Sequence, residues 1–320
     1  MLKLPLSFAS PAGRRGRLSI LIFHRVLAQP DPLFPETPSA ESFEERMRWI
    51  ASWFNVLPLG QAVEKLYDGT IPSRALAITF DDGYADNEEL AAPILRRLGL
   101  SATFFVATSF LRGGCMWNDQ VIEAIRACRH ERLNLGGIGL EACPLTTVLE
   151  RRQAIEAILT RIKHLDQGQR QKVANAIVAA AGGNPLPALM MTHDQVRSLR
   201  ALGMELGAHT VTHPILARLA PDAAFEEMRR GKLELEQIVG EPMQLFAYPN
   251  GVPSQDYGQA HVRMARDCGF SASVSTAWGA ASRHSDRHQL PRFTPWDHTR
   301  LRYGARLLAN FHRTEAIAAA

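Results

Sequence analysis

The stretch AITFDDGY, residues 77–84, ends an apolar run with two adjacent carboxylates, Asp81 and Asp82. Neighbouring side chains of a strand point to opposite faces, so at most one of these acids can point straight out of a sheet. Gly83 allows the backbone to turn after the strand, so that both acids could reach the same cleft. In β/α architectures, active-site groups collect at this C-terminal edge. A solvated turn that happens to contain Asp-Asp-Gly is the alternative interpretation.

Short apolar runs on both sides of this stretch alternate with helical patterns. Several of the runs are apolar on both faces, as expected of parallel strands that are covered by helices or closed into a barrel. The predicted strands are 18–23, 74–80, 102–108, 204–209, 244–249, 271–276 and 289–294. This α/β pattern predicts either a β/α barrel or a doubly wound sheet.

The segment of about 110–190 interrupts this alternation with three further helical patterns. No repeat or long linker separates it from the rest of the chain. We therefore predict a single domain over 1–320, with a core of about 18–109 and 192–300 and a helical insertion of about 110–190.

Composition excludes several classes of protein. The 320 residues carry a net charge of +4, and no long patch interleaves basic and aromatic residues, so we expect no nucleic-acid partner. Four cysteines without CxxC spacing argue against a disulfide framework or a zinc knuckle, and free thiols fit a reducing compartment. The apolar run 18–23 is shorter than a secretory signal, and no segment approaches the roughly 20 apolar residues of a membrane span. We expect a cytoplasmic protein.

A second polar pattern is HTVTHP, residues 209–214, in which His209 and His213 are four positions apart. A helix is doubtful here, because β-branched residues separate the histidines and Pro214 follows the second. A strand end that turns into a loop could bring both rings together. One carboxylate and two imidazoles form a three-ligand set with open positions, the ligand count of a catalytic metal site. The other acid could then act as a general base. Two polar histidines in an ordinary loop are the alternative.

Three segments resemble the motifs of one known family. TFDDGY (79–84) and HTVTHP (209–214) resemble the first two motifs of the polysaccharide deacetylases with NodB homology, carbohydrate esterase family 4, and FAYPNG (246–251) resembles the third. The resemblance covers roughly 73–295. It implies an irregular (β/α)7 barrel that removes N-acetyl groups from sugars with the help of a divalent metal ion.

Carried over to this chain, the resemblance assigns roles to individual residues. Asp81 matches the catalytic base, and Asp82, His209 and His213 match the metal ligands. Zinc is our first choice of metal, although cobalt, nickel and iron also suit such a set. Asn250 stands where the family donates a backbone N–H to the oxyanion. Tyr248, in the same motif, is counted with it among the substrate contacts.

The sequence departs from the family pattern in the groups that should orient the base and donate a proton. Ala247 occupies the place of the usual arginine of the third motif, Asn250 replaces its usual aromatic residue, and the fourth and fifth motifs are not cleanly present. As a replacement we predict that Arg292, in LPRFTP on the last predicted strand, approaches Asp81, with Asp297 as its potential partner.

Two further residues are candidates for contact with the substrate. His24 ends the first predicted strand and resembles the strand-end histidine of a family branch that acts on exported polysaccharides. We therefore expect His24 to be the general acid, with His284, His288 and His298 as less favoured rivals. Trp117, in MWND, could stack on a sugar ring, although it could equally begin a helix and cover the insertion.

These observations predict a metal-dependent hydrolase that removes N-acetyl groups from a poly- or oligosaccharide of the N-acetylglucosamine type. Two alternatives remain at this point. One is an amidohydrolase of a small non-sugar amide on the same fold, which a closed cleft would favour. The other is a catalytically idle carbohydrate-binding protein, which the missing arginine of the third motif would favour.

Overall fold

A computed structural model of the chain describes residues 2–139, 141–313 and 318–319. The strands within these residues are β1 (Leu18–Phe23), β2 (Asn55–Val56), β3 (Ala75–Phe80), β4 (Thr103–Val106), β5 (Arg132–Leu133), β6 (Cys143–Pro144), β7 (Glu205–Ala208), β8 (Leu245–Ala247) and β9 (Ala272–Val274). The α-helices are α1 (Lys3–Ala9), α2 (Ala40–Trp53), α3 (Leu59–Asp68), α4 (Ala92–Arg97), α5 (Trp117–Ala127), α6 (Val148–Ile162), α7 (Gln167–Ala180), α8 (His193–Ala201), α9 (Pro221–Val239), α10 (Gln259–Asp267) and α11 (Arg300–His312).

The main sheet is parallel and curled, with the order β1-β3-β4-β7-β8-β9 and with β2 paired to the first half of β3. Six of the seven predicted strands are therefore confirmed, and the half-barrel that they form agrees with the predicted barrel class. Both faces of β1 and β3 are buried, as the apolar runs predicted. The short strand β2 was not predicted, because two residues give no readable period.

The seventh predicted strand, 289–294, does not form a ladder, so this prediction was wrong as stated. The segment instead makes single bridges to strands at both edges of the curled sheet. Leu290 pairs with Val274 of β9, and Phe293 pairs with Leu21 of β1. Pro291 between them has no N–H to donate, which prevents a continuous ladder. The segment thus closes the gap between the first and last strands without becoming a strand itself.

Register places the ends of the strands side by side. Phe23 of β1 lies beside Phe80 of β3, which lies beside Phe104 of β4. Ala208 of β7 lies beside Phe246 of β8 in the same way. Because all these strands are parallel, the residues that follow them emerge at one edge of the sheet. The predicted active-site residues after β1, β3 and β7 therefore share that edge.

Between β4 and α8 lie the three helices α5, α6 and α7, at the places of the three helical patterns, together with the antiparallel pair β5–β6. Their apolar faces form a buried cluster that is separate from the clusters around the main sheet. In the described ranges, no helix is both long enough and apolar enough to cross a membrane.

Candidate active site

Asp81 lies directly after β3 and forms a buried ion pair with Arg292. Nη1 and Nη2 of Arg292 donate to the two carboxylate oxygens of Asp81, each at 2.7 Å. The same guanidinium donates to Thr79 Oγ1 and, through Nε, to the carbonyl of Ser275 at 2.9 Å. Burial raises the pKa of Asp81, but the positive charges of Arg292 and His209 outweigh it and hold this pKa below its ordinary value. Asp81 is therefore an ionised carboxylate of fixed orientation.

Asp82 turns away from Asp81 and faces the two histidines. Its Oδ1 lies 3.5 Å from Nε2 of His209 and 3.3 Å from Nε2 of His213. One ligand atom from each of the three residues lies within 4.8 Å of the others. The structure thus brings together the three side chains that the sequence suggested as metal ligands.

The donor set fits a divalent metal ion. Asp82 Oδ1 is buried and has no hydrogen-bond partner in the described chain, which is costly unless a cation or another group completes it. Ligand atoms at about 2.0–2.1 Å from a tetrahedral zinc ion are about 3.3–3.4 Å apart, close to the spacing of Asp82 Oδ1 from both nitrogens. Burial lowers the pKa of His213 to about 4, so this imidazole is neutral at pH 7 and able to bind a metal.

The charges of the cluster are coupled. Burial raises the pKa of Asp82, but His213 and His209 outweigh it and hold this pKa well below its ordinary value. Burial lowers the pKa of His209, but Asp81 and Asp82 outweigh that effect and raise it. A cation in the cluster would therefore replace the proton that His209 otherwise attracts.

A backbone contact fixes the orientation of His209. Its Nδ1 lies 2.7 Å from the carbonyl oxygen of Ala247, the last residue of β8. Because a carbonyl only accepts, Nδ1 carries the proton and Nε2 keeps its lone pair for the cluster. Ala247 thus contributes through its backbone at the position where the family usually carries an arginine side chain.

Left-handed backbone conformations concentrate around this cluster. Asp82, Thr210, His213 and Asn250 have φ angles of 76°, 65°, 54° and 59°. Residues other than glycine seldom adopt positive φ, and each instance costs of order 1–3 kcal/mol. The surrounding fold therefore holds these four residues in conformations that the isolated chain would avoid.

Helix α9 holds much of the loop 210–213 in place, a role that was not predicted from the sequence. Glu227 accepts hydrogen bonds from the backbone N–H groups of Val211 and Thr212 at 3.0 and 2.8 Å, and from the Thr212 hydroxyl at 2.8 Å. Gly231 packs so tightly that an added Cβ would lie 2.6 Å from the backbone carbon of Thr210. A glycine inside a helix costs about 1 kcal/mol against alanine, so Gly231 was a readable signal of close packing. Glu227 offered none.

The third motif places Asn250 and Tyr248 differently. Asn250 lines a cavity together with Asp82 and His213. In the described part of the chain its N–H has no acceptor, which leaves this donor for a ligand. Tyr248 is fully buried, stacks on Tyr257 and donates its hydroxyl to the carbonyl of His288. The structure thus gives Tyr248 a place in the core, in contrast to the predicted contact with substrate.

Two cavities meet at the cluster. A cavity of about 450 Å³ has Asp82, His24 and Tyr84 in its wall, and a second of about 270 Å³ has Asp82, Trp117 and Asn250 in its wall. Asp82 thus faces both cavities. The predicted substrate residues His24 and Trp117 therefore line two cavities that share Asp82, so each lies in a cavity that adjoins the cluster.

The rival acids lie elsewhere. None of His284, His288 and His298 lines either of these cavities. His288 is largely buried beside Ser273, and His298 contacts Arg46 and Glu36. His24, by contrast, is exposed into the cleft. His24 is thus the histidine outside the metal cluster that the geometry favours as an acid.

The proposed partner of Arg292 is corrected in the same way. Asp297 pairs with Arg306 of α11, whereas Arg292 is engaged by Asp81. Arg292 and Asp297 are close together in the sequence, but the sequence does not show in which direction either side chain points. Arg292 points into the barrel because its neighbours Leu290 and Phe293 are held by the strands at either side.

A further carboxyl group lines the larger cavity. Asp119, in the first turn of α5, accepts hydrogen bonds from the Tyr84 hydroxyl at 3.1 Å and from the N–H of Met116 at 3.2 Å. Burial, and then the nearby negative charge of Asp82, raise the pKa of Asp119 to about 7, against the opposing effect of Arg25. Asp119 helps to fix Tyr84, and with it the loop that follows Asp81 and Asp82.

The curled parallel sheet with its acids and histidines at one edge defines a β/α hydrolase. A family model for "Polysaccharide deacetylase" matches residues 68–134 and 163–273, more than half of the chain. The chain therefore belongs to the polysaccharide deacetylase family, carbohydrate esterase family 4, whose members are hydrolases that act on carbon–nitrogen bonds.

Individual relatives are distant. "Putative polysaccharide deacetylase YxkH" of Bacillus subtilis (strain 168) is 21% identical over 279 residues, which cover 87% of this chain and 71% of the relative. The Streptococcus pyogenes deacetylase PplD, solved in complex with acetate, has a TM-score of 0.61 at 18% identity and covers 92% of this chain and 98% of its own. IcaB from Ammonifex degensii has a TM-score of 0.58 at 16% identity, with coverage of 92% and 97%. At such identities these structures establish the fold.

Proposed function

We propose that this protein removes N-acetyl groups from a saccharide of the N-acetylglucosamine type, in a reaction that depends on a divalent metal ion, zinc being the first choice. The observation that carries the proposal is the pairing of an ionised, arginine-oriented Asp81 with the adjacent Asp82–His209–His213 cluster. An idle binding protein would have no use for a base and a complete ligand set in one cleft.

Asp82, His209 and His213 would hold the metal ion. When bound, such an ion acts as a Lewis acid toward an acetamide carbonyl and lowers the pKa of water. Asp81 accepts the proton of the attacking water, since Arg292 keeps this carboxylate ionised and directs both of its oxygens. The free N–H of Asn250 donates to the oxygen that becomes negatively charged, an interaction that often supplies a large part of the rate gain.

Departure of the sugar amine requires a proton, and His24 is placed to deliver it. The histidine lies on the wall of the larger cavity, together with Asp82. Its backbone carbonyl accepts a hydrogen bond from Asn87 at 2.8 Å, which fixes the end of β1. His24 can therefore donate to a leaving group that occupies this cavity beside Asp82.

The shape of the cleft favours a saccharide over a small amide. Cavities of about 450 and 270 Å³ adjoin the cluster on two sides, so the helical insertion does not close the site down to one small ligand. Trp117 offers an aromatic face at the smaller cavity, where a sugar ring could stack.

Acetate release tests this proposal. The substrates are N-acetylglucosamine oligomers of increasing length and a lipid-linked N-acetylated sugar, each assayed with the metal-loaded protein, after chelation, and after zinc is restored. We expect release that is lost on chelation and recovered with zinc. Absence of release from every sugar, with metal bound, would contradict the proposal and favour the small-amide alternative.

The role of His24 needs its own measurement. His24→Ala should lower kcat by about 10²–10⁴-fold, the usual contribution of a general acid, and leave metal content unchanged. His298→Ala is the matched control, because His298 lies outside both cavities, and it should retain normal turnover. Near-normal turnover of His24→Ala with metal bound would show that another group donates the proton.

A further inference from the structure

Arg170 of α7 is a buried cation without an acidic partner. Its side chain belongs to a residue that is 6% exposed, and no carboxylate of the described chain lies within 4.0 Å of its guanidinium. Asp166 is the acidic group that acts on it electrostatically, and that carboxylate accepts from the N–H of Gln169 at the start of the helix. Burying an unpaired charge is expensive, so a group outside the chain is the natural partner.

The position of Arg170 is inside the cleft. It lines the cavity of about 270 Å³ together with Lys163, Trp117 and Asn250. Its guanidinium carbon lies 4.8 Å from the centre of the Trp117 ring, and Nη1 donates to the carbonyl of Lys163 at 3.3 Å. These contacts fix the cation against the wall and leave further N–H donors of its fork for a ligand.

The charge of this cavity is one-sided. Lys163 also has no carboxylate within 4.0 Å in the described chain, and it lies on the same wall. The acidic residue of the lining is Asp82, which the metal cluster engages. Lys163 and Arg170, beside the ring of Trp117, therefore lack a carboxylate partner in the described lining of this cavity, since its one acid, Asp82, belongs to the candidate metal cluster.

We infer that Lys163, Arg170 and Trp117 form a subsite for an anionic group carried by the saccharide next to the N-acetylated sugar. The inference rests on the proposed function for the identity of the ligand as a saccharide. A phosphate ester and a uronic acid share the required chemistry, since both offer oxygens that a guanidinium fork can bind in a bidentate manner. A neutral chain of N-acetylglucosamine would leave both cations unpaired.

Binding tests the subsite separately from catalysis. Calorimetry with the metal-loaded full chain would compare N-acetylglucosamine 1-phosphate, a disaccharide of N-acetylglucosamine and glucuronic acid, and the neutral methyl N-acetylglucosaminide. We expect one or both anionic sugars to bind about 10- to 100-fold more tightly than the neutral one, the range for hydrogen bonds to charged groups. The tighter of the two identifies phosphate or carboxylate as the source of the charge. Added salt should reduce the preference.

Variants assign the preference to these residues. Arg170→Met keeps an apolar chain against Trp117 but removes the charge, and it should abolish most of the preference, whereas Arg170→Lys should retain part of it. Lys163→Gln should lower it less. Arg161→Gln and Lys172→Gln remove exposed charges of α6 and α7 outside the cavity, and they should bind all three sugars as the parent protein does. Thermal unfolding checks that each variant is folded.

The outcomes separate the two proposals. Equal affinity for neutral and anionic sugars, or a full preference in folded Arg170→Met, would overturn the subsite, even if acetate is released. Tight binding that depends on Arg170 without acetate release from any of these sugars would support the subsite and contradict the deacetylase proposal.

Discussion

Replacement of Arg292 by methionine tests the ion pair on which the proposed chemistry depends. Arg292 is 0% exposed and Asp81 is 3% exposed, and two hydrogen bonds of 2.7 Å join them. Methionine fills part of the volume but carries no charge. The variant therefore leaves a carboxylate buried beside the metal cluster without its counter-ion.

The size of the effect follows from the geometry. Unit charges about 4 Å apart attract by about 4 kcal/mol at an effective dielectric constant of about 20. That energy corresponds to about a thousand-fold change in the ionisation equilibrium of a carboxyl group. Burial, which already raises the pKa of Asp81, is then opposed only by the positive charge of the neighbouring cluster. We expect the pKa of Asp81 to rise, and the acidic limb of kcat/KM against pH to move up with it.

Stability should depend on pH in a defined direction. In the parent protein the depressed pKa of Asp81 stabilises the fold above the unfolded pKa, and this contribution is lost as the pH falls through the folded pKa. In Arg292→Met this pKa is higher, so the stabilisation that the ionised carboxylate contributes near neutral pH is smaller. The variant should therefore lose less free energy of unfolding near about pH 3 than near about pH 7.5, where the loss reaches about 3–5 kcal/mol.

Urea unfolding at the two pH values, together with the pH profile of acetate release, measures both effects. Arg200→Met is the matched control, because Arg200 pairs with Glu241 while both side chains are substantially exposed, at 46% and 38%. That variant should lose no more than about 1 kcal/mol at either pH. An Arg292→Met protein with an unmoved acidic limb and the same loss of stability at both pH values would refute the reasoning.

Three further variants test the metal cluster and its support from α9. In Gly231→Ala the new Cβ would lie 2.6 Å from the carbonyl carbon of Thr210 and should push that backbone away. Zinc binding should then weaken about 10- to 100-fold in a competition titration. Gly137→Ala is the control, because no atom lies within 4 Å of its added Cβ, and it should bind zinc as the parent protein does. Glu227→Gln should weaken zinc binding in the same range, since one amide oxygen can replace only part of the three contacts of Glu227. The unfolding midpoint should stay near that of the parent protein. Unchanged zinc affinity would mean that the loop 209–213 keeps its conformation without Glu227. Asp82→Asn should remove the metal measured by elemental analysis after dialysis, together with acetate release, and retained zinc would show that the histidines alone suffice.

The main elements of the fold could be predicted because most of the parallel strands are buried on both faces and therefore leave a short apolar run. The limits of β1 agree with the prediction, and β7 differs by one residue at each end. The segment 289–294 misled the prediction, since Leu290 and Phe293 are buried as the residues of a strand would be. Its place between β9 and β1 is a property of the closed sheet, and no local pattern distinguishes a closing segment from a ladder strand.

The active site was partly readable for a related reason. Asp82, His209 and His213 converge because parallel strands end at one edge, which follows from the strand pattern alone. The left-handed backbone of Asp82 and His213, by contrast, depends on packing against other elements. Glu227 contacts the histidine loop from a helix exposed on its other side, and an acid on such a helix normally faces solvent. Tertiary contacts of this kind leave no period in the sequence.

The arginine that orients Asp81 shows why a displaced motif does not imply a lost activity. The carboxylate of Asp81 lies inside the closed sheet, where the ends of several strands approach it. The proposed chemistry requires a guanidinium beside this carboxylate. Arg292 supplies it from the closing segment 289–294, where Thr79 Oγ1 and the carbonyl of Ser275 accept hydrogen bonds from its side chain. Ala247 occupies the place of the usual arginine of the third motif, and its backbone carbonyl orients the ring of His209. Because Arg292 belongs to the segment that joins β9 to β1, closure of the sheet and ionisation of the base are coupled. A protein that only binds a saccharide needs no ionised carboxylate at that place, which is the strongest structural argument against the idle-binding alternative.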